Sequence, residues 1–206
     1  LHFSGDSSAI HWSLGPTIYK AEIDFSKEDN VVTDHQIQLV NPKPAHGKTG
    51  AVRNVRILPM AGEPIEDGVV VWRDDRIIAV GPATEVTIPK SATIFDGDGG
   101  TLMPGLIDVH AHGGYGHQGI VPQQSWRALS YLSFGVTTIH DPSNDNETIF
   151  AAAERQRAGT LLAPRIFSTG KILYGAESVG TSATVNSKED AYFHINRQAE
   201  IGAISV

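Results

Sequence analysis

The chain has no cysteine, which removes disulfides, thiolate metal sites and cysteine nucleophiles in one step; it is compatible with an oxidising compartment without requiring one. Basic charge is also short: 16 Lys and Arg stand against 23 Asp and Glu, a formal charge of −7. No basic face is available to attract nucleic acid or anionic lipid, so neither is expected as a partner. No apolar run approaches the roughly 18 to 20 residues that cross a bilayer. An initiator methionine is lacking, and the start, Leu1-His-Phe-Ser-Gly-Asp-Ser-Ser8, has no charged n-region or cleavage pattern. A chain that opens inside a strand-like pattern, and stops inside the apolar run Ala203-Ile-Ser-Val206, is expected to be a piece of a longer protein or a mature product.

What is present is ordinary globular composition: 206 residues, 40% hydrophobic and 19% charged, enough for one large domain or two small ones. Three short β-like runs, around Leu1–Phe3, Ala9–Trp12 and Thr17–Ile23, are separated by turn residues and predict a small antiparallel meander. Asn41-Pro-Lys-Pro-Ala-His-Gly-Lys-Thr-Gly50 carries two prolines and two glycines and reads as a linker. Beyond it, Ala51–Leu58, Gly68–Trp72 and Arg76–Val80 are β-rich, with Trp72-Arg-Asp-Asp-Arg-Ile77 as a tight hairpin turn. The expected division is therefore 1–46, 47–103 and 104–206.

From Pro104 the pattern changes to strand then helix. Leu106–Ala111, Val136–Ile139, Arg165–Ser168 and Ala203–Val206 read as strands. Between them, Ser125–Phe134 sets Trp126, Leu129 and Leu132 on one helical face and stops at Gly135; Asn146–Ala158 opens on a capping Asn and closes at Gly159. Ser187-Lys-Glu-Asp190 opens a third helix as a capping box, with Ala191, Ile195 and Ala199 at helical spacing. Strand starts spaced by about 30 to 40 residues match βα units in a parallel sheet with right-handed crossovers. An open doubly wound sheet would announce a nucleotide by a Gly-rich turn after its first strand, but His112-Gly-Gly-Tyr-Gly-His117 offers imidazoles in that place. An eight-fold βα barrel needs roughly 250 residues, so Pro104–Val206 can hold slightly under half of one.

In a strand, Asp108, His110 and His112 would share one face at the C-terminal end, where parallel βα folds build their sites. Imidazoles about 7 Å apart along the backbone can turn toward one Zn²⁺, with nitrogens roughly 2.0–2.1 Å from it. With nine histidines in the chain, a His-x-His pair means little outside this context; the plain alternative is two hydrogen-bonded core histidines. Tyr115 and His117, on the following loop, are candidates for substrate contact, against the simpler reading of a solvated loop. His140 and Asp141, at the site end of the second strand, read first as the start of an Asp-Pro turn and only second as catalytic groups; Arg165 and Lys171 read as surface charges ahead of contacts for an anionic substrate. His2, His11, His35, His46 and His194 are scattered.

The run Gly99-Gly-Thr-Leu-Met-Pro-Gly-Leu-Ile-Asp-Val-His-Ala-His112 resembles the signature of the amidohydrolase superfamily, in its imidazolonepropionase-like and prolidase-like branch. Gly50–Gly97, with Ile77-Ile-Ala-Val-Gly81, is similar to the small β-sandwich that precedes the barrel in those enzymes, and Gly135-Val-Thr-Thr-Ile-His-Asp141 to their second strand. The resemblance implies an α/β fold: a partial (β/α)8 TIM barrel after a β-sandwich segment and a β-meander extension. It implies a metal-dependent hydrolase of C–N bonds acting on a cyclic amide or dipeptide-like substrate through metal-activated hydroxide. His110 and His112 match the first-strand ligands of a divalent metal, usually Zn²⁺, one or two per protein. The remaining ligands and the general base are expected beyond Val206, so these 206 residues are expected to be inactive. Ser4-Gly-Asp-Ser-Ser8 resembles the Ser-x-Asp-x-Ser turn of a TolB-like β-propeller blade, the alternative being a plain β extension. That resemblance implies a periplasmic or secreted parent, otherwise a cytoplasmic one. A non-catalytic binding or assembly module, propeller blade plus half-barrel, is the competing function, and it leaves a homo-oligomer open.

Overall fold

The computed structural model describes all residues except 28, 39, 41–46, 118 and 176–181. It divides into two compact units, Leu1–Pro42 with Ile107–Val206, and Lys43–Leu106. Most of the expected linker, 41–46, lies outside the described residues, while Thr49 and Gly50 already belong to a strand.

Four antiparallel strands, β1 (His2–Phe3), β2 (Ala9–Leu14), β3 (Thr17–Glu22) and β4 (Val32–Gln36), pair in chain order. The turn into β2 is built on Asp6: its Oδ1 accepts from the Ser4 and Ser8 hydroxyls, each at 2.7 Å, and from the Ser8 amide at 3.0 Å. Those donors, the Ser4 hydroxyl foremost, hold the Asp6 carboxyl far below its ordinary value. Across β2 and β3, Trp12 faces Tyr19 and their rings stack at 5.3 Å. The polar β4 was not foreseeable from hydrophobic alternation, because every one of its residues is exposed and it is held by backbone pairing to β3.

In Lys43–Leu106, β5 (Thr49–Ile57), β6 (Ile65–Arg73), β7 (Arg76–Pro82), β8 (Thr93–Asp96) and β9 (Thr101–Leu102) form one sheet in the order β7-β6-β5-β8, with β9 also on β5. The hairpin turn is Asp74–Asp75 as the sequence predicts, with Asp74 at φ 53°. Alternation along β6 sends Val69 and Val71 to one face and Val70 to the other. A bulge between Val52 and Val55 exchanges the faces of β5. Ala51 packs with Val69 and Val71, whereas Val55 and Ile57 pack with Val70. Asn54, at φ 56°, sits in that bulge and donates to Asp96 Oδ1 at 2.8 Å. Gly50 is required where it is, since a Cβ there would lie 2.3 Å from the Trp72 ring.

In the second part of the other unit, β10 (Leu106–Asp108), β11 (Val136–Asp141) and β12 (Arg165–Ser168) form a three-stranded sheet, β11 and β12 parallel with Asp141 opposite Ser168. Helices α1 (Trp126–Ser133), α2 (Asn146–Arg157) and α3 (Lys188–Glu200) fall where periodicity puts them. The core joins Ile139 of β11 and Ile166 of β12 to Ile149, Ala152 and Ala153 of α2. Ser125 caps α1 and Ser187 caps α3, each accepting the amide three residues on. The cap of α2 is Asp145, one residue before the Asn the sequence suggests.

Several expectations fail. Trp126 is 85% exposed, and α1 instead buries Ala128, with Tyr131 alongside. On α3 the foreseen face is only half-buried at Ala191 and exposed at Ile195 and Ala199, and Gln198 is the buried position. β10 ends at Asp108 instead of Ala111, and Ala203–Val206 forms no strand. A further parallel pair, β13 (Ile172–Tyr174) with β14 (Ser182–Thr184), has no sequence signal strong enough to predict it at three residues each. The architecture is thus mixed α/β.

Candidate metal and substrate site

The strand ends early because Asp108 Oδ1 accepts from the His110 amide at 3.0 Å, a local turn that competes with extension. His110 and His112 therefore leave the strand before they can alternate on one of its faces, which corrects the sheet argument made from spacing. They still meet. Their rings lie 4.9 Å apart between centroids and cross at 78°, with His110 exposed and the His112 side chain 56% exposed. The turn is pinned to β11 where the Ala111 amide donates to the His140 carbonyl at 2.9 Å.

Beside His112 lies Asp141, fully buried at the end of β11. Its Oδ2 accepts from the Gly113 amide at 3.1 Å and from Asn144 Nδ2 at 2.7 Å; its Oδ1 accepts from the Ser143 amide at 3.0 Å. Oδ1 is also 3.7 Å from His112 Nδ1, and the Ser143 hydroxyl is 3.3 Å from that same nitrogen. Asn144 Nδ2 further donates to the Gly113 carbonyl at 2.6 Å, closing the loop over the carboxylate. Ser143 and Asn144 were not singled out from sequence. The signal available was the run of short polar residues, Asp141-Pro-Ser-Asn-Asp145, directly after a strand.

Tyr115 is not at the mouth of a site: its ring is 1% exposed and its hydroxyl has no partner among the described residues. Burial pushes the phenol well above its ordinary value. Gly113 makes room for the ring, since a Cβ there would come within 2.6 Å of it. His117 is exposed and exchanges backbone hydrogen bonds with Ile120, both 3.0 Å. It lines an open depression of about 410 Å³ together with Gly114, Gly116, Ile120 and Pro122. His140 Nε2 meets the Ser205 hydroxyl at 2.7 Å. Arg165 is exposed, and Lys171 is engaged through its amide by Asn146 Oδ1 at 2.8 Å. Among the described residues no three His, Asp or Glu are placed to hold a metal together. The residues present thus fit a divalent cation as a pair of imidazole ligands and not as a full set.

No family model matches the chain. It is 44% identical over 62 residues to the imidazolonepropionase of Sphingopyxis alaskensis, across 29% of this chain and 15% of that relative. It is 31% identical over 100 residues to adenine deaminase 2 of Shouchella clausii, across 48% of this chain and 17% of the relative. Among solved structures, a candidate prolidase from Bifidobacterium longum superimposes with a TM-score of 0.61 at 26% identity, over 76% of this chain and 39% of that one. An α/β chain with paired histidines after a short strand is thus similar, over part of its length, to hydrolases of amidohydrolase type in sequence and to a candidate prolidase in fold. The chain spans well under half the length of each of these three relatives.

Proposed function

We propose that this chain carries the first part of the barrel of a metal-dependent amidohydrolase that cleaves C–N bonds in a cyclic amide or dipeptide-like substrate. The observation that carries this reading is the convergence of His110 and His112, rings 4.9 Å apart, with the buried Asp141 carboxylate 3.7 Å from His112. It is supported by similarity to an imidazolonepropionase, an adenine deaminase and a candidate prolidase. His110 and His112 would hold the cation, Zn²⁺ being the natural choice for imidazole nitrogen. When bound, the cation supplies Lewis acidity toward a carbonyl and makes a water acidic near neutral pH. The protein's own part is to fix the imidazoles: Asp108 sets the turn that carries His110, and Gly113 gives the chain space to pass over Tyr115. The depression beside His117 is the proposed place for part of the substrate. Partial assembly of the eight-fold barrel is part of the same proposal.

The 206 residues alone should not turn over, since two imidazoles fall short of the three protein ligands usual at a hydrolytic zinc. Assay against cyclic amides and dipeptides with added Zn²⁺ should give no hydrolysis. Turnover that a chelator abolishes would overturn this. A second reading, self-association as an assembly module, is favoured by one observation: Ile77, Ile78, Val80 and Phe95 stand 46–68% exposed on the sheet of Lys43–Leu106. Size-exclusion chromatography separates the two, a discrete oligomer supporting assembly and elution near 22.1 kDa removing it.

A further inference from the structure

We infer that Asp141 is a positioning residue that fixes the tautomer of His112, placing the ring proton on Nδ1 and leaving Nε2 as the free lone pair. The inference rests on the metal reading for its purpose, but not for its geometry. Nδ1 of His112 faces two oxygens, Asp141 Oδ1 at 3.7 Å and the Ser143 hydroxyl at 3.3 Å. A hydroxyl can donate or accept, so Ser143 is neutral between the two tautomers. Asp141 is not neutral. It is fully buried, and its oxygens already accept three hydrogen bonds, from Gly113, Ser143 and Asn144. All three donors hold the carboxylate in place beside the ring. A lone pair on Nδ1 would point at that negative charge from a short distance in a site screened from water on the carboxylate side, which is repulsive. An N–H there is attracted, and it can at the same time donate to the Ser143 hydroxyl.

The consequence is a preset ligand. A metal takes a histidine through a nitrogen without a proton, and the hydrogen bond made by the other nitrogen decides which one is free. With Nδ1–H within hydrogen-bond reach of the Ser143 hydroxyl and facing the Asp141 carboxylate at 3.7 Å, Nε2 of the half-exposed ring is the atom available to a cation shared with His110. The backbone amide of Gly113 ties the same carboxylate to the residue immediately after His112, so one group sets both the path of the chain and the protonation pattern of the ring.

The test is a long-range ¹H–¹⁵N spectrum of the metal-free 206-residue chain with labelled histidine, the His112 signal assigned by its loss in His112→Gln. It is recorded at alkaline pH, where the two neutral tautomers are read. The expected result is the Nδ1–H tautomer at His112. The Nε2–H tautomer, which prevails in free histidine, would overturn the inference. Asp141→Asn should shift His112 toward Nε2–H, and a folded Asn variant still in the Nδ1–H form would count against Asp141. Because Asp141 is buried and that variant can fail to fold, Ser143→Ala provides the second arm. It should keep Nδ1–H, and conversion to Nε2–H would assign the effect to the hydroxyl and overturn the role of the carboxylate. A zinc titration of the same samples keeps the two claims apart. A chain that shows Nδ1–H but binds no zinc refutes the metal reading and leaves the tautomer assignment standing.

Discussion

At Asp6, three donors converge on one carboxylate oxygen, and that makes the first turn of the chain sensitive to acid. The ordinary value is 3.8 and the folded value lies below it. A carboxyl depressed in the folded state adds stability that is fully present above its unfolded value and fades as pH falls through the folded one. The β1–β2 turn should therefore be tight at neutral pH and loosen below about pH 4. The protection factors of the Ser8 and Ala9 amides, which bond Asp6 and Ser4, should fall on acidification in the native chain and already be low at neutral pH in Asp6→Ala. Equal protection in both would contradict this. The Ser-x-Asp-x-Ser spacing made that turn legible in the sequence, because hydroxyl and carboxylate partners two residues apart act locally. Tyr115 was not legible. A tyrosine between glycines reads as an exposed loop residue, and only the neighbours brought by α1, α2 and β11 bury it.

Elements were legible where their signals are local. Caps and stop glycines place all three helices within a residue or two, and Gly135 and Gly159, at φ 79° and 74°, end two of them. Which face each helix buries was less legible, because that depends on partners elsewhere in the chain. Trp126 shows this: its large ring completes an apolar stripe in the sequence, yet small Ala128 faces the core. The loop ahead of α1 is held by a feature invisible in sequence, Arg155 of α2. Its guanidinium donates to the carbonyls of Pro122 at 2.5 Å and Gln123 at 2.9 Å, and reaches those of Val121 and Thr160 at 3.4 Å. Removing it orphans several carbonyls at once, so Arg155→Ala should lower stability by about 1–3 kcal/mol. Arg155→Lys should recover only part of that, because an ammonium lacks the planar fork. Urea denaturation followed by circular dichroism gives the comparison; an unchanged midpoint in Arg155→Ala would remove the staple from the account.

For the whole molecule, the alternation of strand and helix after Pro104 reached only a βα architecture; the motif ending at His112 carried the resemblance to the amidohydrolase superfamily, and similarity to an imidazolonepropionase and an adenine deaminase, over part of each relative's length, supports it. The order of strands in Lys43–Leu106 and the bulge at Asn54 were not available from spacing, since long-range pairing leaves no periodic trace. The same holds at the site. Sequence marked His110 and His112, but the carboxylate beside His112 is brought by β11, well downstream of the pair, and read on its own as the start of a turn. That turn is present, with the Ser143 amide on Asp141 Oδ1, so the plain reading and the site share one residue. The central claim is that His110 and His112 act together on a cation. Zinc calorimetry on the unaltered chain, His110→Ala and His112→Ala tests it most directly. The account predicts binding by the unaltered chain and a loss of at least about tenfold in either variant; equal affinity in all three would contradict it.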